Sequence, residues 1–235
     1  MINKAGQRQL LLDLRPEQTA SFANFVTGRN AELVARLATL ADPGVSDQIY
    51  LWGPPGSGRS HLLRAALAAA QAQQRPACLI ESVQLGAQLV PESNSLVILD
   101  DIEELNEIAQ ITLFRTFNTA RQAGLSLLMS GNQPPLRLQP ALREDLRTRI
   151  GSALIYEVQP LNETEKAAAL RRHGAERGMS LDDSLIDYLL RHGRRDLPTL
   201  LAVLDALDRT SLELQRPLTL PLLREILQTS LELGD

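Results

Sequence analysis

The 235-residue sequence has a single cysteine, Cys78. One thiol cannot close a disulfide within the chain. Its place in the apolar run 77–80 reads as a reduced core residue rather than a redox or metal group. Only three histidines occur, His61, His173 and His192, and they are scattered. That spacing argues against a metal site built from them. Aromatic residues make up 3% of the chain, so Leu, Ala, Ile and Val must fill the core. No apolar run approaches the roughly 20 residues of a membrane-spanning helix. The N-terminus lacks a signal-peptide core. The expectation is a cytoplasmic protein without membrane association. An excess of positive charge is missing too: 24 Lys and Arg face 28 Asp and Glu, a formal net charge of −4. Coating nucleic acid requires a basic face, so this composition points away from that class. Internal repeats and long low-complexity linkers are also absent.

What is present is a phosphate-binding loop. Gly53-Pro54-Pro55-Gly56-Ser57-Gly58-Arg59-Ser60 meets the pattern G-x-x-x-x-G-K-[ST] at every fixed position but one, with arginine in place of lysine. A short apolar run, 48–52, precedes it as a strand. A helical run opening at His61 follows. A loop between a strand end and a helix start offers free backbone N–H groups and the positive end of the helix dipole, and both favour phosphate. The glycines let the backbone close around the anion.

Apolar strand-like runs then alternate with helical ones. Strands are expected over 48–52, 77–80, 96–99, 125–130 and 154–158. Helices are expected over 60–74, 82–90, 106–123 and 140–150. This alternation predicts an α/β domain, a parallel sheet flanked by helices and buried on both faces. After Pro160 the pattern becomes helical throughout, over 162–177, 181–192, 197–212 and 218–231. Asn162-Glu163-Thr164-Glu165 reads as a capped helix start. The expected organisation is an N-terminal segment, 1–20, that precedes the first helix. An α/β domain over 21–160 and a small all-helical domain over 161–235 follow. A nucleotide would sit in a cleft between these two domains.

The strand over 96–99 runs into Asp100-Asp101. Ligands of parallel sheets sit at such C-terminal strand ends, and the spacing from the loop suits a second nucleotide motif. Asp100 would hold Mg²⁺ through water, with the Ser60 hydroxyl on the same ion. Asp101 would polarise an attacking water. The competing reading is an acidic helix cap. Arg59 keeps the charge of the usual lysine but is larger, planar and forked, so nucleotide binding is expected ahead of efficient hydrolysis.

With these motifs in place, the chain resembles the AAA+ ATPases, and more narrowly the DnaA/Hda family of replication initiators and their regulatory homologues. The resemblance covers nearly the whole chain and is closest to the Hda branch. Ser21-Phe22-Ala23-Asn24-Phe25-Val26-Thr27-Gly28 looks like the segment that lies near the bound base in that family. Gly56 to Leu63 has the Hda form of the loop, with its arginine. Asn132 matches the polar sensor position, where an acid is more usual. Arg147-Thr148-Arg149-Ile150 resembles the family's finger motif. Arg194-Arg195-Asp196-Leu197 resembles the second sensor. The resemblance implies an AAA+ sheet followed by a helical lid. It makes Arg149 an arginine finger projected into a neighbouring subunit's nucleotide, and Arg195 a lid contact to the phosphates. It implies ADP or ATP with Mg²⁺ as cofactors and weak intrinsic ATPase activity.

Gln9-Leu10-Leu11-Leu12-Asp13-Leu14 looks like the sliding-clamp-binding motif of the Hda branch, with Asp13 where proline is usual. Gln9, Leu10, Leu12 and Leu14 would dock on the clamp, the β subunit of DNA polymerase III. The alternative for this stretch is an apolar strand packed on the domain. The sequence stops just after the lid, where the initiators continue into a basic DNA-binding domain, so direct sequence-specific DNA binding is not expected. The implied partners are DnaA, the clamp and a homo-oligomer. Three functions remain open from sequence: a regulator that switches off the initiator by stimulating its ATP hydrolysis, an autonomous AAA+ ATPase or helicase loader, and a non-hydrolysing nucleotide-dependent scaffold.

Overall fold

The computed structural model describes residues 19–193 and 196–232. These fall into two compact units that meet in the chain at Leu161 and Asn162. The first holds helix α1 (Ala31–Ala38), strand β1 (Gln48–Trp52), α2 (Arg59–Ala72), β2 (Ala77–Glu81), β3 (Leu96–Asp100), α3 (Glu107–Ala120), β4 (Ser126–Gly131), α4 (Glu144–Ile150) and β5 (Leu154–Glu157). All strand pairs are parallel, in the order β2-β3-β4-β1-β5. The phosphate loop leaves β1 and the acid pair leaves β3, with β4 between them.

The period of two along each strand sorts the core into two layers. Tyr50, Val97, Leu99, Leu127 and Met129 face α3 and α4, joining Leu113, Phe117, Leu146 and Ile150. Ile49, Leu51, Leu96, Ile98 and Leu128 face the other way, onto Leu33, Leu37, Leu62, Leu63 and Ala66 of α1 and α2. Burial on both faces therefore holds for the three central strands. It does not hold at the edge strand β5, where Leu154 and Ile155 are exposed.

Two expected helices differ. Residues 82–90 form only a 3₁₀ turn, Ser82–Gln84. The Leu85 and Leu89 spacing suggested a helix, but Gly86 interrupts it and Val83 and Val90 lie exposed. Leu85 and Leu89 pack on the core from an irregular stretch instead. Helix α4 starts at Glu144 rather than at residue 140. The buried Gln110 amide donates to the Ala141 carbonyl, and its oxygen accepts from the Arg143 backbone N–H, each at 2.9 Å. These tertiary bonds hold the stretch out of the helix.

The second unit contains α5 (Glu163–Glu176), α6 (Asp183–His192), α7 (Leu197–Leu214) and α8 (Leu220–Glu232). Asn162 closes a reciprocal capping box with Glu165, both bonds at 2.8 Å. Asp182 and Asp196 cap α6 and α7. Leu170, Leu185, Ile186, Leu189, Leu200, Leu204, Leu207 and Leu223 form its own core. Asp205 of α7 accepts from Arg177 at 2.9 Å and lies 2.7 Å from His173 Nε2, tying α7 to α5.

Candidate functional site

The phosphate loop folds as its glycines require. Gly58 has φ +102° and stands at the N-terminus of α2 without a side-chain cap. The first-turn N–H groups of α2 are thus left for an anion. A Cβ on Gly58 would lie 2.8 Å from Phe25 Cε2. At Gly53 a Cβ would lie 2.8 Å from the Val158 carbonyl oxygen and 2.9 Å from Ser57 Oγ. The loop is therefore pinned between the exit of β5 and the segment before α1. Ser57 Oγ and Arg59 Nη1 are buried and find no partner among the described residues. Buried polar atoms normally have partners. A cradle of free N–H groups, an idle hydroxyl and an idle guanidinium arm fits a phosphate chain. A Gly58→Val variant carries both a disallowed φ and the Phe25 clash. It is expected to weaken ADP binding by at least roughly tenfold, given about 1–3 kcal/mol of backbone strain. Calorimetry with an unchanged ADP affinity would remove the loop from the site.

The segment before α1 lies on this loop. Ser21 and Asn24 bond reciprocally, the Ser21 N–H to Asn24 Oδ1 at 2.9 Å and the Asn24 N–H to Ser21 Oγ at 3.3 Å. The Ser21 carbonyl is 3.1 Å from His61 Nε2, and the Phe25 and His61 rings stand 5.5 Å apart. Asn30 anchors the other end through two bonds to the Gln159 backbone, at 2.9 and 2.8 Å. A wall of Ser21, Phe25 and His61 thus borders the loop.

Asp100 and Asp101 sit at the end of β3. The Ser130 hydroxyl donates to Asp100 Oδ1, and the Asp101 backbone N–H donates to the same oxygen at 3.1 Å. Asp101 is held in the left-handed region at φ +49°. The helix-cap reading of the pair does not hold. Asp101 precedes a 3₁₀ turn with no side-chain cap bond, and Asn106 caps α3 by accepting from the Ala109 N–H at 2.9 Å. A Mg²⁺ ion needs few protein ligands beside water and phosphate. Asp100 with Ser60 is a set of that kind. Among the described residues no cluster of three or more His, Cys, Asp and Glu side chains could hold a metal ion.

Arg59 reaches back over β4 to this end of β3. Its Nη2 lies 3.2 Å from Asp101 Oδ1, with the arginine side chain 11% exposed. Two further residues that the sequence reading passed over join them. Glu103 accepts the Asn132 backbone N–H at 2.9 Å, while its other oxygen is buried without a partner among the described residues. Tyr50 donates to the Gln133 carbonyl at 2.6 Å. Burial raises the Asp101 carboxyl above its ordinary value, Asp100 adds to this and Arg59 opposes it. Burial likewise raises Glu103. The Tyr50 hydroxyl is pushed up by burial and then by Glu103. Glu103 was hidden in the acidic run 100–104, which reads as a solvated surface. Only the turn after Asp101 folds it inward.

Asn132 is exposed just past β4. Arg149 is exposed near the end of α4, its guanidinium carbon 5.9 Å from the centre of the Phe114 ring. Arg147 is engaged instead. With the Gln139 amide oxygen turned toward it, both of its Nη groups donate there, at 2.5 and 2.6 Å. Among the described residues no hydrogen bond or ion pair joins the Arg149 side chain to residues 53–60, Asp100 or Asp101. Arg195, and with it Gln9, Leu10, Leu12 and Leu14, lies outside the described residues.

Residues 163–227 match the family model described as Hda, lid domain. Over the fold, the chain is similar to domain III of the replication initiation protein DnaA from Thermotoga maritima. The TM-score is 0.75 at 18% identity, covering 89% of this chain and 96% of that one. AMPPCP-bound DnaA from Aquifex aeolicus gives 0.69 at 20% identity, covering 82% and 66%. A RuvB variant from Thermotoga maritima gives 0.69 at 16% identity, covering 89% and 72%. At these identities the structures establish the fold, a five-stranded parallel AAA+ sheet with a C-terminal helical lid. No helix among the described residues is long and apolar enough to cross a membrane. The lid match and the shared fold make the chain similar to the AAA+ proteins of the DnaA/Hda family.

Proposed function

We propose that this chain is a nucleotide-bound regulator of chromosome replication initiation, acting on the initiator DnaA. It holds ADP or ATP with residues 53–61, Asn132 and Arg195, and Mg²⁺ with Ser60 and Asp100. It docks on the sliding clamp through Gln9, Leu10, Leu12 and Leu14. It then presents Arg149 to the ATP of an initiator molecule. Water attacks the γ-phosphorus there, and ADP and phosphate are the products. Arg149 stabilises the charge that builds on the equatorial oxygens. The initiator is thereby switched off.

The observation that carries this reading is the contrast between the two arginines of α4. Arg147 is tied to Gln139, whereas Arg149 is exposed and rests on an aromatic face. A cation–π contact of this kind holds a guanidinium without using up its N–H donors. That suits a residue acting on a partner's nucleotide. The lid match to Hda supports the regulatory branch. Arg59 in the place of the usual lysine supports weak turnover of the chain's own nucleotide, because its larger planar fork does not place a terminal phosphate as a compact ammonium would. The homo-oligomer and a cytoplasmic location belong to the same reading.

The clamp contact is tested at the N-terminus. An extended peptide offers alternate side chains to pockets. Replacing Gln9 and Leu14 together by Ala should abolish a clamp pull-down and leave the melting temperature unchanged. Survival of clamp binding, or unfolding of the variant, would make the segment a structural strand instead.

A further inference from the structure

Arg59 uses only part of its fork on the protein. One arm, Nη2, meets Asp101 at 3.2 Å, and the other, Nη1, is buried without a partner among the described residues. Arginine is suited to bidentate pairing with carboxylate or phosphate, yet here a carboxylate receives one arm only. The Asp101 backbone is held in place. Its backbone N–H is fastened by Asp100 Oδ1 at 3.1 Å and lies 3.2 Å from Ser130 Oγ, and its φ is +49°. Two further groups that bear on Arg59 are likewise held. Glu103 is tied to the Asn132 N–H, and the Tyr50 hydroxyl is committed to Gln133. The cation of the phosphate cradle thus stands over an acidic floor with one arm idle.

We propose that Asp101 competes with nucleotide phosphate for Arg59, acting as an internal counter-ion that the arriving phosphate must displace. This rests on the nucleotide-binding reading of the loop and extends it to regulation at the same site. Without nucleotide, Asp101 partly neutralises the arginine and keeps the cradle from holding a cation without its anion. With a diphosphate bound, the idle arm meets a phosphate oxygen first, and Nη2 then leaves Asp101. The carboxylate sets a limit on affinity and favours exchange. A lysine in this place, with one compact ammonium, would not offer two separate arms to two anions.

The test is ADP binding by the full chain, by calorimetry without Mg²⁺ and by thermal shift. Neither measurement depends on turnover. Asp101→Asn removes the competing charge with little change of shape. It is expected to bind ADP about three- to fivefold tighter than wild type, the range for one partly exposed ion pair. Its apo form should melt lower than wild type, and ADP should raise its melting temperature by more. Asp101→Ser should show the same gain in affinity if the asparagine variant folds poorly. Arg59→Ala should bind ADP at least tenfold more weakly, since a direct charge-assisted contact is lost. Equal or weaker ADP binding by both Asp101 variants would overturn the proposal while leaving the loop as the nucleotide site. Absence of ADP binding by wild type would overturn the nucleotide reading itself.

Discussion

Substituting Arg149 by alanine is expected to abolish stimulation of the initiator's ATP hydrolysis while leaving this chain's own ADP affinity within about twofold of wild type. An arginine finger supplied in trans contributes about 10³–10⁵ in rate, or roughly 4–7 kcal/mol of transition-state stabilisation. Even a small part of that range is measurable. Own-nucleotide binding should persist, because the Arg149 side chain is exposed on α4 and shares no bond with the loop or the acid pair. Both quantities belong on one preparation. Loss of ADP binding together with stimulation would place Arg149 in the chain's own site. Undiminished stimulation would pass the role to another arginine, with Arg147 the nearest and its Gln139 bond the thing to break.

The largest effect on stability is expected at Arg75. This side chain is 1% exposed. It donates to the carbonyl oxygens of Leu40, Asp42, Val45, Asn94 and Ser95, at 2.6 to 3.2 Å, and to Ser126 Oγ at 3.2 Å. One planar group thereby ties together the chain entering β1, β3 and β4, at the end of the sheet opposite the phosphate loop. Burial lowers its pKa from the usual arginine value, and Asp42 opposes that. Arg75→Ala would strip several buried carbonyls of their donor and leave a cavity. A loss of about 3–5 kcal/mol is expected, since hydrogen bonds to a charged group contribute about 1.5–3 kcal/mol each and do not add in full. Urea denaturation should show the midpoint fall accordingly. Arg75→Lys should recover only part of it, because one ammonium cannot span the set. A loss under about 1 kcal/mol would mean that water replaces the guanidinium.

Much of the fold was written locally. The strand, loop and helix around Gly53–Ser60 follow from glycine spacing and helix-start chemistry, and the five strands follow from their apolar runs. The lid helices announce themselves by period and, at α5, by the Asn162 cap, whereas the Asp182 and Asp196 caps emerge from the structure. The failures are local patterns that a breaker or a tertiary bond overrides. Residues 82–90 have helical spacing, but Gly86 breaks it and Leu85 and Leu89 reach the core without a helix. Residues 140–143 had helical spacing too, but their backbone is taken by Gln110. The site was legible as a set of residues and not as an arrangement. From the sequence, Arg59, Asp100 and Asp101 are expected near a phosphate. It does not say that Arg59 crosses β4 to sit on Asp101, because that depends on the strand order β3-β4-β1. Nor does it bring Glu103 and Tyr50 to the same place, since an acidic run and a strand tyrosine each have an ordinary reading on their own.

The central claim is that this chain acts on another protein's nucleotide. The most direct measurement is ATP turnover by the initiator DnaA, with wild-type chain present, in the presence and absence of DNA-loaded sliding clamp. The account predicts that the chain alone turns over ATP well below the 1–100 s⁻¹ typical of kinases, and that initiator hydrolysis accelerates only when chain and loaded clamp are both present. Robust turnover by the chain alone, or initiator hydrolysis that stays at its basal rate with chain and clamp together, would contradict it.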